Sequence, residues 1–201
     1  MVPGILLAAG AGRRFGGQKL LHEFRGRAVI YHALRAALDA PLDPVYLVLG
    51  AESERVHAAL DELRASPKLR VLLNERWAWG RASSLQLALR QLPPEVPGAV
   101  VLLGDMPLMT SALIARVAKE FEKTGKLCFT IYRGEIGRPV ALPRALFAEF
   151  FRLTGDESGR AILRAHWDEA IKLPLSSEEE VTQFDLDTPA DGEALQRAVR
   201  P

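Results

Sequence analysis

The chain has 201 residues, a net charge of +1 and charged side chains at 25% of its positions. That length suits one α/β domain with a sizeable core, and the balanced charge excludes a broad field for nucleic acid or a membrane surface. A lone cysteine, Cys128, excludes an intrachain disulfide and reads as a buried small apolar residue. No run approaches the ~20 apolar residues of a membrane span, and the start lacks a signal peptide's charged region, so a cytoplasmic protein is expected.

In chain order, strand and helix patterns alternate. Residues 5–8 form a short apolar strand, and apolar runs at 45–49, 70–73, 99–103 and 127–132 predict four more. Apolar spacings of three and four predict helices over 28–38, 53–63, 82–92 and 111–123. Beyond Gly134 the pattern shortens: a strand at 139–142, a helix over 144–152 opened by Pro143, and a turn at 155–160 before another short helix. Residues 171–173 and 181–184 predict strands, the acidic run 176–180 a solvated loop, and Thr188 caps a last helix from Pro189. This alternation predicts one α/β domain over 1–201, with three αβα layers around a mostly parallel sheet. Ligands of such sheets sit beyond the carboxyl ends of the strands.

The unusual residues lie at those ends. After the first strand come Gly10, Gly12, Gly16 and Gly17, interleaved with Arg13, Arg14 and Lys19. Glycine lets backbone N–H groups press against a ligand, and successive N–H groups beside cations make a site for a polyanion. A plain strand-to-helix turn is the bland alternative. A phosphate loop of the GxxxxGK[ST] kind does not fit, because Gln18 holds the lysine slot and no hydroxyl follows it. A dinucleotide loop is the weaker fit: the second strand ends in Gly50-Ala51, and Glu52 comes too late to hold a ribose.

Further along, Asp105 follows the buried strand 99–103, where a carboxylate can hold Mg²⁺ beside phosphates or cap the next turn. Thr110 is better placed for that cap. Asp185 and Asp187 project to one side if the backbone there is extended; Asp187 can complete a metal site with Asp105 or complement the last helix's N-terminus. Asn74, the only asparagine, offers donor and acceptor to a base edge, and Ser83 and Ser84 open a helix whose N–H groups can meet a phosphate. Trp77 serves as packing or as a stacking platform. Arg138 and Arg160 sit in the later segments, where Arg160 fits a phosphate clamp or a surface ion pair. The four histidines are scattered, and no protein nucleophile set can be built; phosphoryl and nucleotidyl transfer need positioning and charge neutralisation instead.

Residues 7–19, LAAGxGxRxxGxxK, resemble the loop of the MobA-like NTP transferases, which wraps the triphosphate of CTP or GTP. The resemblance extends to residues 74–85 (N-x-x-W with a following glycine and serine), to Gly104-Asp105-Met106-Pro107 and to the DLDTP segment at 185–189. In the last, Ala190 replaces the family's glutamate. Gly137-Arg138-Pro139-Val140 and residues 155–160 are similar to two further pieces; Arg138 stands for the usual His or Asn, and Gly159 is displaced by one position. What this kinship implies is a Rossmann-like nucleotidyltransferase fold. It also implies a nucleotide site of Leu7, Ala8, Ala9, Gly10, Gly12, Arg14, Lys19, Asn74, Ser84 and Asp105, with Arg14, Lys19 and Asp105 catalytic. Mg²⁺ would lie on Asp105 and Asp187, and Arg138 and Arg160 would face the acceptor. Ala8-Ala9 resembles the molybdenum cofactor cytidylyltransferase branch, so CTP and a molybdopterin-type acceptor are expected. The alternatives are GTP as donor, a sugar or isoprenoid phosphate as acceptor, or a redox enzyme or chaperone serving a molybdoenzyme.

Overall fold

The computed structural model describes residues 1–197. Seven strands form one sheet: β1 (Val2–Ala8), β4 (Leu42–Leu49), β5 (Leu69–Leu73), β6 (Gly98–Leu103), β7 (Cys128–Tyr132), β8 (Glu135–Pro143) and β9 (Ile171–Pro174). A separate two-stranded hairpin joins β2 (Glu23–Phe24) to β3 (Arg27–Ala28). The sheet order is β5-β4-β1-β6-β8-β7-β9, and only β8 runs against the rest. The strand reversal between β7 and β8 uses Arg133 at φ 50 and Gly134 at φ 77.

Strands β1 and β6 are apolar nearly throughout because helices cover both faces of the sheet. On one face α1 (Val29–Asp39), α2 (Ser53–Ala58) and α4 (Ser111–Thr124) bury Ile30, Leu34, Val56, Val117 and Phe121 against Leu6, Leu47 and Leu102. On the other, α3 (Arg81–Gln91), α5 (Phe147–Phe150) and α6 (Arg160–Ala165) bury Leu89, Phe147, Phe150 and Leu163 against Ile5, Val101 and Phe129. The last helix, α7 (Pro189–Arg197), packs Leu195 on Phe24, Val29 and Leu186. This is the three-layer arrangement that the alternation predicts, and it is Rossmann-like as the resemblance implies.

Four local expectations are corrected. Residues 181–184 are not a strand: Glu180–Gln183 form a 3₁₀ turn. The turn is held by Arg116 Nη1, which donates at 2.9 Å to both oxygens of Glu179. The helix expected over 53–63 ends at Ala58, and a 3₁₀ turn, Asp61–Ala65, follows with Asp61 at φ 48. Residues 144–152 split into a 3₁₀ turn, Arg144–Leu146, and the single turn of α5. The strand expected at 139–142 reaches from 135 to 143. No helix among the described residues is long and apolar enough to cross a membrane.

Candidate active site

At the carboxyl end of β1 the chain turns through a 3₁₀ segment, Arg13–Phe15, entered from Gly12 in the left-handed region at φ 62. A Cβ on Gly12 would lie 2.1 Å from the Gly17 carbonyl oxygen, so only glycine lets the loop close on itself there. Gln18 is buried, and its amide donates to the Gly10 carbonyl at 3.2 Å and to the Ala51 carbonyl at 3.0 Å. The residue that spoils the lysine slot of a phosphate loop therefore staples this loop to the end of β4. A cavity of about 490 Å³, within the range of small-molecule sites, opens over it. Leu7, Ala8, Ala9, Gly10, Gly12, Arg14 and Lys19 line its loop side.

Three aspartates line the opposite wall. Asp105 leaves the end of β6, and its carbonyl accepts the Leu186 N–H at 3.0 Å, which carries Asp185 and Asp187 into the same cavity. Thr110 caps α4, its Oγ1 accepting from the Leu113 N–H, so Asp105 is not needed there. The last helix caps itself: Asp191 Oδ2 accepts from the Thr188 N–H at 2.6 Å and its hydroxyl at 2.8 Å. Asp187 is thus released from capping duty. Lys19 Nζ lies 2.6 Å from Asp105 Oδ2 and 2.7 Å from Asp187 Oδ1, and Arg14 Nη1 stands 3.5 Å from Asp187 Oδ2.

The shifts of these groups follow from that contact. Burial works against the Lys19 charge, but Asp105 and Asp187 outweigh it and raise its pKa. The Lys19 hydrogen bond holds Asp187 below the usual carboxylate range. Asp185 is pushed up, by burial first and then by the neighbouring charges of Asp105 and Asp187. Asp105 Oδ1 is buried and has no hydrogen-bond partner among the described residues. Among the described residues no three His, Cys, Asp or Glu side chains gather as a metal cluster. A divalent ion here would therefore draw on two carboxylates and complete its shell with phosphate oxygens and water, the habit of Mg²⁺. The orphaned hard oxygen of Asp105 fits such an ion.

Comparison with known proteins gives this geometry its kin. The model of the MobA-like NTP transferase domain matches residues 4–170. The chain belongs to the MobA-like NTP transferase family. A solved structure of Rv0371c from Mycobacterium tuberculosis H37Rv superposes with a TM-score of 0.83 at 28% identity, covering 98% of this chain and 97% of that one. A manganese complex of the same protein gives 0.80 at 26% identity, covering 98% and 99%. The bifunctional protein GlmU of Kineococcus radiotolerans is 34% identical over 71% of this chain and 29% of its own length. The chain thus spans about three-tenths of such curated relatives.

In this MobA-like domain the block at 74–85 lies beside the loop. Ser84 lines the cavity at the first turns of α3, together with Trp77 and Arg81. Asn74 does not line it. Its Nδ2 donates to Ser83 Oγ and Ser84 Oγ, each at 2.9 Å, and its Oδ1 accepts from the Arg76 N–H at 3.0 Å. Its side chain is thus engaged by the two serines and the Arg76 N–H rather than offered as an open edge. Ala9 is buried, and its methyl occupies the space beside Gly50, where an added Cβ would come within 2.8 Å. Arg138 and Arg160 lie on the β8 side, outside the large cavity. Arg160 Nη2 donates to the Ile136 carbonyl at 3.2 Å and its Nη1 stands 3.8 Å from Glu135, so it takes up a surface pairing here. Sequence reasoning passes over Arg81 and Asp156, which also line the cavity. The one signal for Arg81 is its position directly after Gly80 at the start of a helix.

Proposed function

We propose that this chain is a nucleotidyltransferase that moves CMP from CTP to the terminal phosphate of a molybdopterin-type acceptor and releases pyrophosphate. The observation that carries the reading is the Lys19 ammonium seated between Asp105 and Asp187 on the wall of a glycine-loop cavity. A charged wall of that kind, facing a glycine loop, suits a triphosphate with its counter-ion. An acceptor phosphate oxygen attacks the α-phosphorus, the bond from that phosphorus to the bridging oxygen breaks, and pyrophosphate leaves. Loop N–H groups, Arg14 and Lys19 neutralise the charge that builds on the leaving group. Asp105 and Asp187 would hold Mg²⁺, which supplies charge neutralisation and orientation of phosphate oxygens when bound. Asn74 acts at one remove, fixing Ser84. Ala8-Ala9 supports CTP, since a small steric difference in such a pocket discriminates bases by ~10–200-fold. A reducing cytoplasm suits the single buried thiol.

The test measures pyrophosphate release with each nucleoside triphosphate, with and without molybdopterin, in Mg²⁺. CTP with molybdopterin is the expected productive pair, and Asp105→Ala and Lys19→Ala each abolish it while remaining folded at the assay temperature. Near-normal turnover in either variant refutes the roles given to these residues. Turnover with another donor or acceptor refutes the specificity and keeps the chemistry.

A further inference from the structure

A second cavity, of about 130 Å³, adjoins the first and shares Leu7, Arg81 and Leu103 with it. It lies between the sheet and the helices of the second face. Its walls are apolar, built from Leu85 of α3, Val140 and Leu142 of β8, and Phe150 of α5. An engineered apolar cavity of about 150 Å³ accepts benzene, so this one has room for a compact group of five or six carbons.

The rim is cationic. Glu157 stands there too, but its carboxylate is taken up by the Thr154 N–H at 2.6 Å and the Thr154 hydroxyl at 3.1 Å. Arg81 reaches the Asp156 carbonyl at 3.5 Å. The part-buried guanidinium of Arg138 has no hydrogen bond or ion pair among the described residues. Its backbone is fixed on both sides. The Arg138 N–H donates to Gln183 Oε1 at 2.7 Å, and its carbonyl accepts from Gln183 Nε2 at 2.6 Å and Thr130 Oγ1 at 2.9 Å. Burial first, and then the charges of Arg160 and Arg81, work against this guanidinium; Asp105 offsets them only from a distance, with no ion pair, so an anion in direct contact would complete the compensation. The guanidinium fork is made for a phosphate or carboxylate.

We infer that this cavity is the acceptor's anchoring subsite: Arg138 holds an anionic group while a compact, weakly polar group bonded close to it fills the apolar space. The inference rests on the reading of transfer to a phosphate-bearing acceptor and narrows the chemistry next to that phosphate. The shared residues Leu7 and Leu103 end the strands that lead into the glycine loop and Asp105, so a ligand seated here borders the triphosphate cavity. Specificity for the acceptor then comes from shape below Arg138 as well as from charge above it.

The test uses the full chain without nucleotide or metal and titrates methyl phosphate, 3-methylbutyl phosphate and 3-methylbutanol by calorimetry. Each buried methylene is worth about fourfold in affinity. Four additional carbons therefore predict binding of 3-methylbutyl phosphate about two-hundredfold tighter than methyl phosphate, with the alcohol far weaker than the ester. Leu85→Phe, which fills the space, removes the hydrocarbon gain and keeps methyl phosphate binding; Arg138→Met weakens both esters. Equal binding of the two esters by the unaltered protein overturns the inference, as does an alcohol that binds like its ester or an Arg138→Met variant that binds both esters unchanged. Absence of pyrophosphate release with every donor and acceptor sinks the transferase reading instead, and leaves this ligand series as a separate measurement.

Discussion

Replacing Lys19 with methionine removes one positive charge and almost no volume. Its Nζ lies 2.6 Å from Asp105 and 2.7 Å from Asp187, with the lysine side chain 15% exposed and that of Asp105 19%. The substitution leaves Asp105, Asp185 and Asp187 facing one cavity, with the exposed Arg14 paired to Asp187 at 3.5 Å. Breaking a buried pair costs ~3–5 kcal/mol; Asp187 is more open to water, so about 3 kcal/mol is expected. For a chain of this size each kcal/mol moves Tm by ~2–4 °C, which places the loss at about 6–12 °C. The Lys19 pKa is raised from its ordinary 10.5, so its contribution is complete below that value and fades as pH rises through the folded one. Asp187 is lowered from 3.8, so its share is complete above 3.8 and fades as pH falls through its folded value. The difference between variant and parent is therefore flat from about pH 5 to about pH 9 and shrinks toward stronger acid. Scanning calorimetry in metal-free buffer measures this, and added Mn²⁺ supplies the decisive arm. A divalent cation replaces the missing ammonium in Lys19→Met but competes with it in the parent, so Mn²⁺ raises Tm more in the variant. Equal Mn²⁺ shifts in the two proteins refute the placing of ion and lysine on the same carboxylates.

Three other outcomes are expected. Asn74→Ala takes away two hydrogen bonds to Ser83 and Ser84 and one from the Arg76 N–H; it costs about 2 kcal/mol in urea denaturation and raises the KM for CTP more than it lowers kcat. Gly12→Ala sets a methyl 2.1 Å from the Gly17 carbonyl at a left-handed residue, so CTP binding by calorimetry falls at least a hundredfold while the core melts within about 2 kcal/mol of the parent. The Cys128 thiol, pushed up to about 12 by burial first and Glu120 second, stays unreactive to a disulfide reagent at pH 8, and its labelling rate follows unfolding as urea is added.

How much of this the chain declares in advance depends on the range of the interaction involved. The strands that carry the site are buried on both faces, so β1 and β6 read as apolar runs and their ends point to the loop and Asp105. The direction of β8 is a matter of pairing, with Val101 against Val140 and Phe129 against the same residue, and apolar content says nothing about it. Residues 181–184 open with β-branched Val181 and Thr182 and end in Phe184, as a strand would, yet Val181 is 50% exposed and the turn answers to Arg116 and Gln183 instead. The same limit applies inside the site. The rarity of asparagine singles out Asn74, but only the fold shows that its amide is consumed by Ser83 and Ser84. Lys19 and Asp187 are 168 positions apart, and each is legible alone as a cation or an acid beside a loop. Their contact depends on a backbone bond, Leu186 N–H to the Asp105 carbonyl, that no local pattern encodes. A glycine loop announces a polyanion from its own residues. The counter-charges that decide what it does with that polyanion arrive from the other end of the chain, through a hydrogen bond that is itself a product of folding.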